Sequence, residues 1–391
     1  MSTNTTVPER HPMKVCITFH NDIFTPWPAT SIIHPVELLL EAGHEISVLS
    51  WDKGRSVQIK ESTLPVKREQ IRVPVRNFTS FYIFSRKLSD RLVDESPGLI
   101  FAFDLEVLRG SANAARRLGV PLLFFAREDW PSMVRGSGTI SGIMRSIAFA
   151  RLEKRICTNA VEHAYSVNPE RGQKYVGWSV PYTTVYTTKA LSELPELPPK
   201  NSEFTLALAG SMLEMQALPR ILEAMKRIDC NLRLIGGDEK NIPGVRKIVD
   251  NSGLSGRVTF TGHLPSLSDY FSEIGRCSVG LTFPLNTDMN KYLGISVKMW
   301  DYMAMGLPQI VSNMPAMASI MKGNGSQSIG LTADPQSTEE IAKAISYYAS
   351  HREEAEAAGM LARKLFIEKY CWDRQKEILR QSHWIFRGNR S

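Results

Sequence analysis

From its first apolar run the chain alternates strands with helices. The apolar stretch Met13 to His20 is followed by a polar loop, NDIFTPWPATS, by a helix that ends at Ala42-Gly43, and by a second strand, HEISVLSW. The same order returns with LIFAF, a helix over Leu105–Leu118, Gly119 and the strand VPLLFF. Glycine at the helix C-terminus supplies the left-handed residue that stops it. Strands joined through helices pair in parallel, so this alternation predicts an α/β fold built on a doubly wound, Rossmann-like sheet.

A proline-rich segment, Leu194 to Lys200, interrupts the pattern, which then resumes with the strand FTLALAG. A helix near Leu218 to Arg227, NLRLIGG, a helix after Pro243, VTFTG, a helix around Leu267 to Ile274, SVGLTF and the helix VKMWDYMAMG complete a second doubly wound series. The expected organisation is therefore a disordered tail at 1–12, one domain at 13–193, a linker at 194–200 and a second domain at 201–370. A final helix at 371–391 is expected to return to the first domain. At roughly 100 to 200 residues per domain, 391 residues fit that division. Two such sheets facing one another place their carboxyl ends at a shared cleft, where ligands of these folds bind.

Several classes drop out on composition and motif. The longest uncharged apolar stretches, such as Leu99 to Phe103, fall far short of the roughly 18 residues that span a bilayer. The first residues lack the basic start and apolar centre of a secretory signal, so a cytoplasmic protein is expected. The five cysteines form no C-x-x-C pair, which argues against a disulfide framework or a zinc site. Neither G-x-G-x-x-G after a strand, nor G-x-x-x-x-G-K-[ST], nor G-x-S-x-G, nor H-E-x-x-H occurs. The net charge of +7 is concentrated: Lys53 to Arg91 holds ten Lys or Arg against Glu61, Glu69 and Asp90. Nucleic acid, anionic lipid or phosphorylated substrate would each be drawn to such a surface.

The segment Tyr292 to Pro308 carries the clearest chemical signal. Ser296 is placed to cap a helix whose first turn holds Val297 and Lys298, leaving main-chain N–H groups at the cleft. A lysine there opposes the helix dipole by roughly 0.3 to 1 kcal/mol. A bound phosphate would reward both features, making Lys298 a diphosphate-binding candidate; a solvated lysine that tolerates the cost is the alternative.

The run KMWDYMAMGLPQIVS resembles the donor-site helix and following strand of GT-B glycosyltransferases, K-x-x-E-Y-M-A-x-G-x-P-x-V. The resemblance implies two doubly wound domains facing a cleft, the first binding acceptor and the second a nucleotide-sugar. It also implies that Asp301 holds the ribose hydroxyls while the helix N-terminus and Lys298 hold the diphosphate. The chain departs from the large retaining group 1 family of that fold. Leu293 replaces the earlier of its paired glutamates and Asp301 the later, while Ser211 and Gln216 stand where its Arg and Lys would be.

A closer likeness is to the inverting, membrane-associated glucuronosyltransferases of xanthan assembly. His20-Asn-Asp-Ile-Phe-Thr-Pro26 resembles their H-D-F-x-T-P loop, Gly210-Ser-Met-Leu213 their G-S-M-L turn, and Ser296-Val-Lys298 with Gly306-Leu-Pro308 their S-M-K and G-L-P elements. This implies donor contacts from Ser211, Met212 and Met299 as well, although methionines at such spots also serve as core filler. It further implies a general base in Ala126-Arg127-Glu128-Asp129. An inverting transfer needs one carboxylate at the acceptor hydroxyl. Asp129 fits, with Glu128 in its place if the register slips; Asp129 also reads as a cap for the turn at Pro131. His20 and Asp22, at the end of the first strand, are cleft residues or turn-formers. No D-x-D pair occurs, so no metal cofactor is expected.

Phe78, Phe81, Tyr82, Leu88 and Leu92 recur at helical spacing beside Arg86, Lys87 and Arg91, and Ile140 to Ile156 repeats the theme with Arg145, Arg151, Lys154 and Arg155. Each stripe alone reads as core; two of them beside the basic run point to an anionic membrane surface and a lipid-linked saccharide acceptor. The expectation is thus a metal-independent, inverting glycosyltransferase. A sugar-nucleotide epimerase or hydrolase, and a non-catalytic nucleotide-sugar-binding subunit, are the alternatives. No recognised nucleic-acid module is present.

Overall fold

Short apolar runs bounded by glycine and polar turns fold as buried parallel strands, and the amphipathic segments between them fold as the covering helices. The computed structural model describes residues 12–23, 30–54, 63–75, 78–135, 139–210, 216–237, 239–284 and 294–387. They form two units, one of residues 1–187 with 375–391, the other of residues 188–374.

Unit 1 runs β1 (Lys14–Phe19), α1 (Thr30–Glu41), β2 (Glu45–Asp52), β3 (Lys67–Arg72), α2 (Phe78–Glu95), β4 (Leu99–Phe103), α3 (Leu105–Leu118), β5 (Leu122–Ala126), α4 (Trp130–Arg135), α5 (Ile140–Ala160), β6 (His163–Ser166), α6 (Pro169–Gly177) and β7 (Tyr182–Thr184). Its seven strands lie in the order β3-β2-β1-β4-β5-β6-β7. Every pairing is parallel. β4 and β5, apolar throughout, are buried along their whole length. The edge strand β3, KREQIR, carries instead a charged ladder: Lys67 pairs with Glu95 at 2.6 Å and Arg91 with Glu69 at 2.6 Å. That charge hid it from a reading by apolar pattern, and it blunts the sheet edge. The end of the chain completes this unit. Phe386 packs 6.0 Å from Phe101 and 6.1 Å from Tyr165, and His44 Nε2 meets the Ile385 carbonyl at 2.8 Å.

Unit 2 runs β8 (Thr205–Ala209), α7 (Leu218–Met225), β9 (Asn231–Ile235), α8 (Ile242–Ser252), β10 (Val258–Gly262), α9 (Leu267–Gly275), β11 (Val279–Thr282), α10 (Val297–Ala304), β12 (Gln309–Ser312), α11 (Pro315–Met321), β13 (Gly330–Ala333), α12 (Thr338–Ser350) and α13 (Arg352–Leu365). Its six parallel strands lie in the order β10-β9-β8-β11-β12-β13. The segment 188–193, read from sequence as part of the first domain, is tied to this unit: Thr188 Oγ1 donates to the Tyr370 carbonyl at 2.8 Å, and Trp372 N–H donates to the Lys189 carbonyl at 2.8 Å. The expected linker at 194–200 therefore lies within unit 2. The helix α14 (Trp372–Ser382) carries the chain back to unit 1. No described helix is long and apolar enough to cross a membrane.

Candidate active site

In each sheet the strand order reverses between two neighbouring central strands, β1 with β4 and β8 with β11. The carboxyl ends of those strands are where doubly wound folds leave a crevice. Of the sequence-derived site residues that are described, His20 follows β1, Glu128 and Asp129 follow β5, and Ser296 to Asp301 open α10 after β11.

In unit 2, Gly210 ends β8 with φ of 122°, and the Lys298 side chain crosses directly over it. A Cβ at residue 210 would overlap Lys298 Cε and force the lysine aside, and the positive φ itself favours glycine there. Lys298 enters from the first turn of α10, for which Ser296 is the N-cap residue with extended backbone and no side-chain cap bond. The Ser296 hydroxyl makes no cap bond to that turn, and the Met299 N–H goes to the Ser296 carbonyl at 3.0 Å. Val297 beside it is exposed, whereas Met299 is wholly buried, which places Met299 in the core. Tyr302 seats the helix: its ring fills the space over Gly280, and its hydroxyl accepts the Ala209 N–H at 2.9 Å. Ammonium and helix end lie together at the end of β8, an arrangement that suits an anion.

Asp301, three residues after Lys298 on the same helix, is 5% exposed. Its Oδ2 accepts the Tyr270 hydroxyl at 3.0 Å, and its Oδ1 is buried without a hydrogen-bond partner. Burial pushes its pKa up to about 6, opposed by Lys189, the Tyr270 hydroxyl and Lys298. An unpaired buried carboxylate oxygen costs free energy until a donor reaches it. Gln216 has a structural role: its Oε1 accepts the Phe283 N–H at 2.9 Å and joins the ends of β8 and β11. Ser211, Met212 and Leu293 lie outside the described residues.

In unit 1 a charged cluster occupies the β1/β4/β5 edge. Asp104, fully buried with φ of 71°, follows β4 and opens α3. Its Oδ1 accepts the N–H groups of Arg127 and Glu128 at 3.0 and 3.1 Å, and its Oδ2 takes the Arg127 guanidinium at 2.6 Å. Arg127 in turn lies over the Phe19 ring and bonds Ser31 Oγ at 2.8 Å. So strained a backbone, roughly 1 to 3 kcal/mol, persists because these contacts over-determine it. They fix the segment carrying Glu128 and Asp129.

His20 Nδ1 lies 3.0 Å from Glu106 Oε2 and 3.6 Å from Asp104 Oδ2. Glu128 has its pKa raised, by burial first and then by the Asp104 charge, with Arg171, Arg127 and His20 opposing. Asp129 is differently engaged. It precedes α4, accepts the Ser132 hydroxyl, and lies 3.8 Å from Lys174 Nζ, which itself pairs with buried Glu153 at 2.7 Å. Asp129 stands where the cap alternative puts it, just before α4, but its carboxylate takes the Ser132 hydroxyl, and the Met133 N–H goes to the Asp129 main-chain carbonyl. Asp22 pairs with Arg68 of β3 at 3.7 Å. The structure brings His20 and Glu128 into one cluster, with Asp129 adjoining on the same loop. Among the described residues no three His, Cys, Asp or Glu side chains converge to hold a metal ion.

Residues 203–351 match the family model described as glycosyl transferases group 1. Over that stretch, which is less than half of its length, the chain is similar to the group 1 glycosyltransferases. Its enzyme class is glycosyltransferase, and its fold is that of the GT-B enzymes. Sucrose-phosphate synthase from Thermosynechococcus elongatus superposes with a TM-score of 0.71 at 15% identity, covering 94% of this chain and 97% of that one. HepE from Anabaena, solved in complex with UDP-glucose, gives 0.68 at 11% identity, with 94% and 99% covered. The lipopolysaccharide outer core galactosyltransferase WaaB gives 0.68 at 12% identity, with 95% and 99% covered. No curated protein matches the chain.

Three parts of this glycosyltransferase's candidate site were not found by sequence reasoning. Asp104 and Glu106 follow a strand but match no motif; their position after β4 was the only available signal. Tyr270 reaches Asp301 from another helix. Lys174 reaches Asp129 from α6, across some forty residues of chain whose folding sequence pattern does not give.

Proposed function

We propose that the protein transfers a sugar from a nucleotide-diphosphate donor to a hydroxyl of a saccharide acceptor, with inversion at the anomeric carbon and without a metal ion. The observation that carries this reading is Lys298 laid across Gly210 at the amino end of α10. There the ammonium and main-chain N–H groups would meet the diphosphate and stabilise the charge that grows on it as the sugar leaves. Ribose hydroxyls would donate to the unpartnered Oδ1 of Asp301, and Ser211 and Met212 would border the nucleotide. HepE was solved with UDP-glucose, so a UDP-sugar is the first donor to try.

On the acceptor side, Glu128 or Asp129 would take the hydroxyl proton, with His20 and Asp22 at the acceptor. A raised pKa at a buried position favours Glu128 as the base, whereas Asp129 is already engaged by Ser132 and Lys174. A lipid-linked acceptor and peripheral attachment to the inner membrane face extend the reading; the exposed Ile140, Ile143, Met144 and Ile147 of α5, among exposed arginines, support them.

Binding of UDP, GDP and TDP-sugars is measured first by thermal shift. One of them should raise the melting temperature, and Lys298→Ala should weaken its binding at least tenfold, the loss of one charge-assisted hydrogen bond of about 1.5 to 3 kcal/mol. Unchanged affinity in that variant would remove the phosphates from α10. NMR of the product then reads the anomeric configuration, and turnover in EDTA should equal that in magnesium.

A further inference from the structure

Between α2 and α3 of unit 1 lies a groove of 760 Å³ lined by Tyr82, Ser85, Arg86, Arg109, Arg116 and Arg117. It is separate from the charged cluster described above. Arg116 and Arg117 sit about 15 Å along α3 from Glu106, at a rise of ~1.5 Å per residue. Gly110 makes the groove: a Cβ there would stand 2.6 Å from the Ser85 carbonyl, so glycine lets the two helices close and brings their arginines together.

The charge in the groove is poorly balanced. Arg117 pairs with Asp90 at 2.7 Å, but Arg116 reaches only the neutral Asn113 amide oxygen at 2.5 Å. Arg109 lies over the Tyr82 ring at 4.5 Å, and among the described residues neither it nor Arg86 has a carboxylate partner. Four guanidinium groups thus face one carboxylate. Ser85, also lining the groove and 2% exposed, has a hydroxyl with no hydrogen-bond partner. Clustered planar donors with an unused hydroxyl match a group that has several acceptor oxygens and more than one negative charge.

We infer that this groove binds a phosphoryl group, supplied by an anionic phospholipid headgroup or by a soluble phosphate ester. The site does not rest on the donor chemistry proposed above. Exposed Tyr82 and Ile83 on α2, and the packing of Phe81 against Phe149 of the exposed-stripe helix α5 at 6.4 Å, give the lipid source its rationale.

The full chain is tested in two arms, against a double variant Arg86→Gln/Arg109→Gln and a control Lys247→Gln/Lys343→Gln that removes the same charge from exposed positions of unit 2. In the first arm, co-sedimentation with phosphatidylcholine vesicles containing phosphatidylglycerol should weaken about 30-fold in the groove variant and less in the control. That loss corresponds to two basic side chains at roughly 1 kcal/mol each near an anionic surface. In the second arm, glycerol 1-phosphate should raise the melting temperature of the wild type and not of the groove variant. Loss confined to the groove variant in the first arm assigns a lipid headgroup; loss in the second alone assigns a soluble ester; either supports the site. Equal behaviour of the groove variant and wild type in both arms, or an equal loss in the control, overturns it. Arg86→Glu alone, at an exposed position, repeats both arms if the double variant misfolds. UDP-sugar binding is measured on every variant and should be unchanged, so failure of the groove is distinguishable from failure of the donor site.

Discussion

With 5% of its surface exposed and Oδ1 unpaired, Asp301 holds its proton more tightly in the folded chain than in the unfolded one. Its pKa is about 6 when folded, against about 3.9 for an unperturbed aspartate. The stability linked to that proton is therefore complete below pH ~4 and lost as the pH rises through about 6. Asp301→Asn should stabilise the ligand-free protein at pH 7.5 by at most roughly 3 kcal/mol, read as a higher thermal midpoint, with the gain closing by pH 4. The same variant should bind nucleotide more weakly. A midpoint that does not move at pH 7.5 would mean the carboxylate is adequately solvated. Glu128 raises a parallel question about the base. As a carboxylate above its ordinary range, it would lose activity as the pH falls through its raised pKa. Glu128→Gln should cut kcat by roughly 10² to 10⁴ with donor affinity intact. If Asp129→Asn alone produces that loss, the base is Asp129.

At the scale of elements, α10 carries the edge proposed to bind the diphosphate, and Tyr302 decides where that helix sits. The hydroxyl accepts the Ala209 N–H at 2.9 Å and lies 3.2 Å from the Leu281 carbonyl, joining helix to β8 and β11 below Gly210. Tyr302→Phe leaves a buried N–H unpaired, which costs about 1 to 3 kcal/mol. Denaturant unfolding should show that loss, and nucleotide affinity should fall with it because Lys298 rides on the same helix. Retained stability would mean the ring alone holds α10. The helices of unit 1 divide differently. Of the apolar stripe on α2, Phe81, Leu88 and Leu92 are core, whereas Tyr82 points to solvent; Phe78 has no described side chain.

For the molecule as a whole, the last residues belong with the first. Leu379, Ile385 and Phe386 are fully buried in unit 1, and Lys376 pairs with Glu41 at 2.6 Å. Burying each such side chain contributes about 1.5 to 3 kcal/mol, so three of them approach the whole stability of a domain. Deleting residues 375–391 should lower or abolish the unfolding transition of unit 1 while that of unit 2 persists in calorimetry. A single unshifted transition would contradict this. Unit 2, in turn, begins at Thr188 because the chain there is hydrogen-bonded to the turn before α14.

Sequence by itself determined the alternation of elements, the two parallel sheets and the helix that begins after Ser296, because apolar period, glycine stops and caps are local properties of the chain. It also marked Lys298 and Asp301, which share that helix. Strand β3 escaped it, since an edge strand of charged residues has no apolar signature. Tertiary structure alone decided that Lys298 lies on Gly210, that Tyr270 leaves one Asp301 oxygen unpaired, and that Asp104 holds the Glu128 segment. Each of these joins residues from different elements, and the burial that shifts Glu128 and Asp301 exists only once those elements have packed.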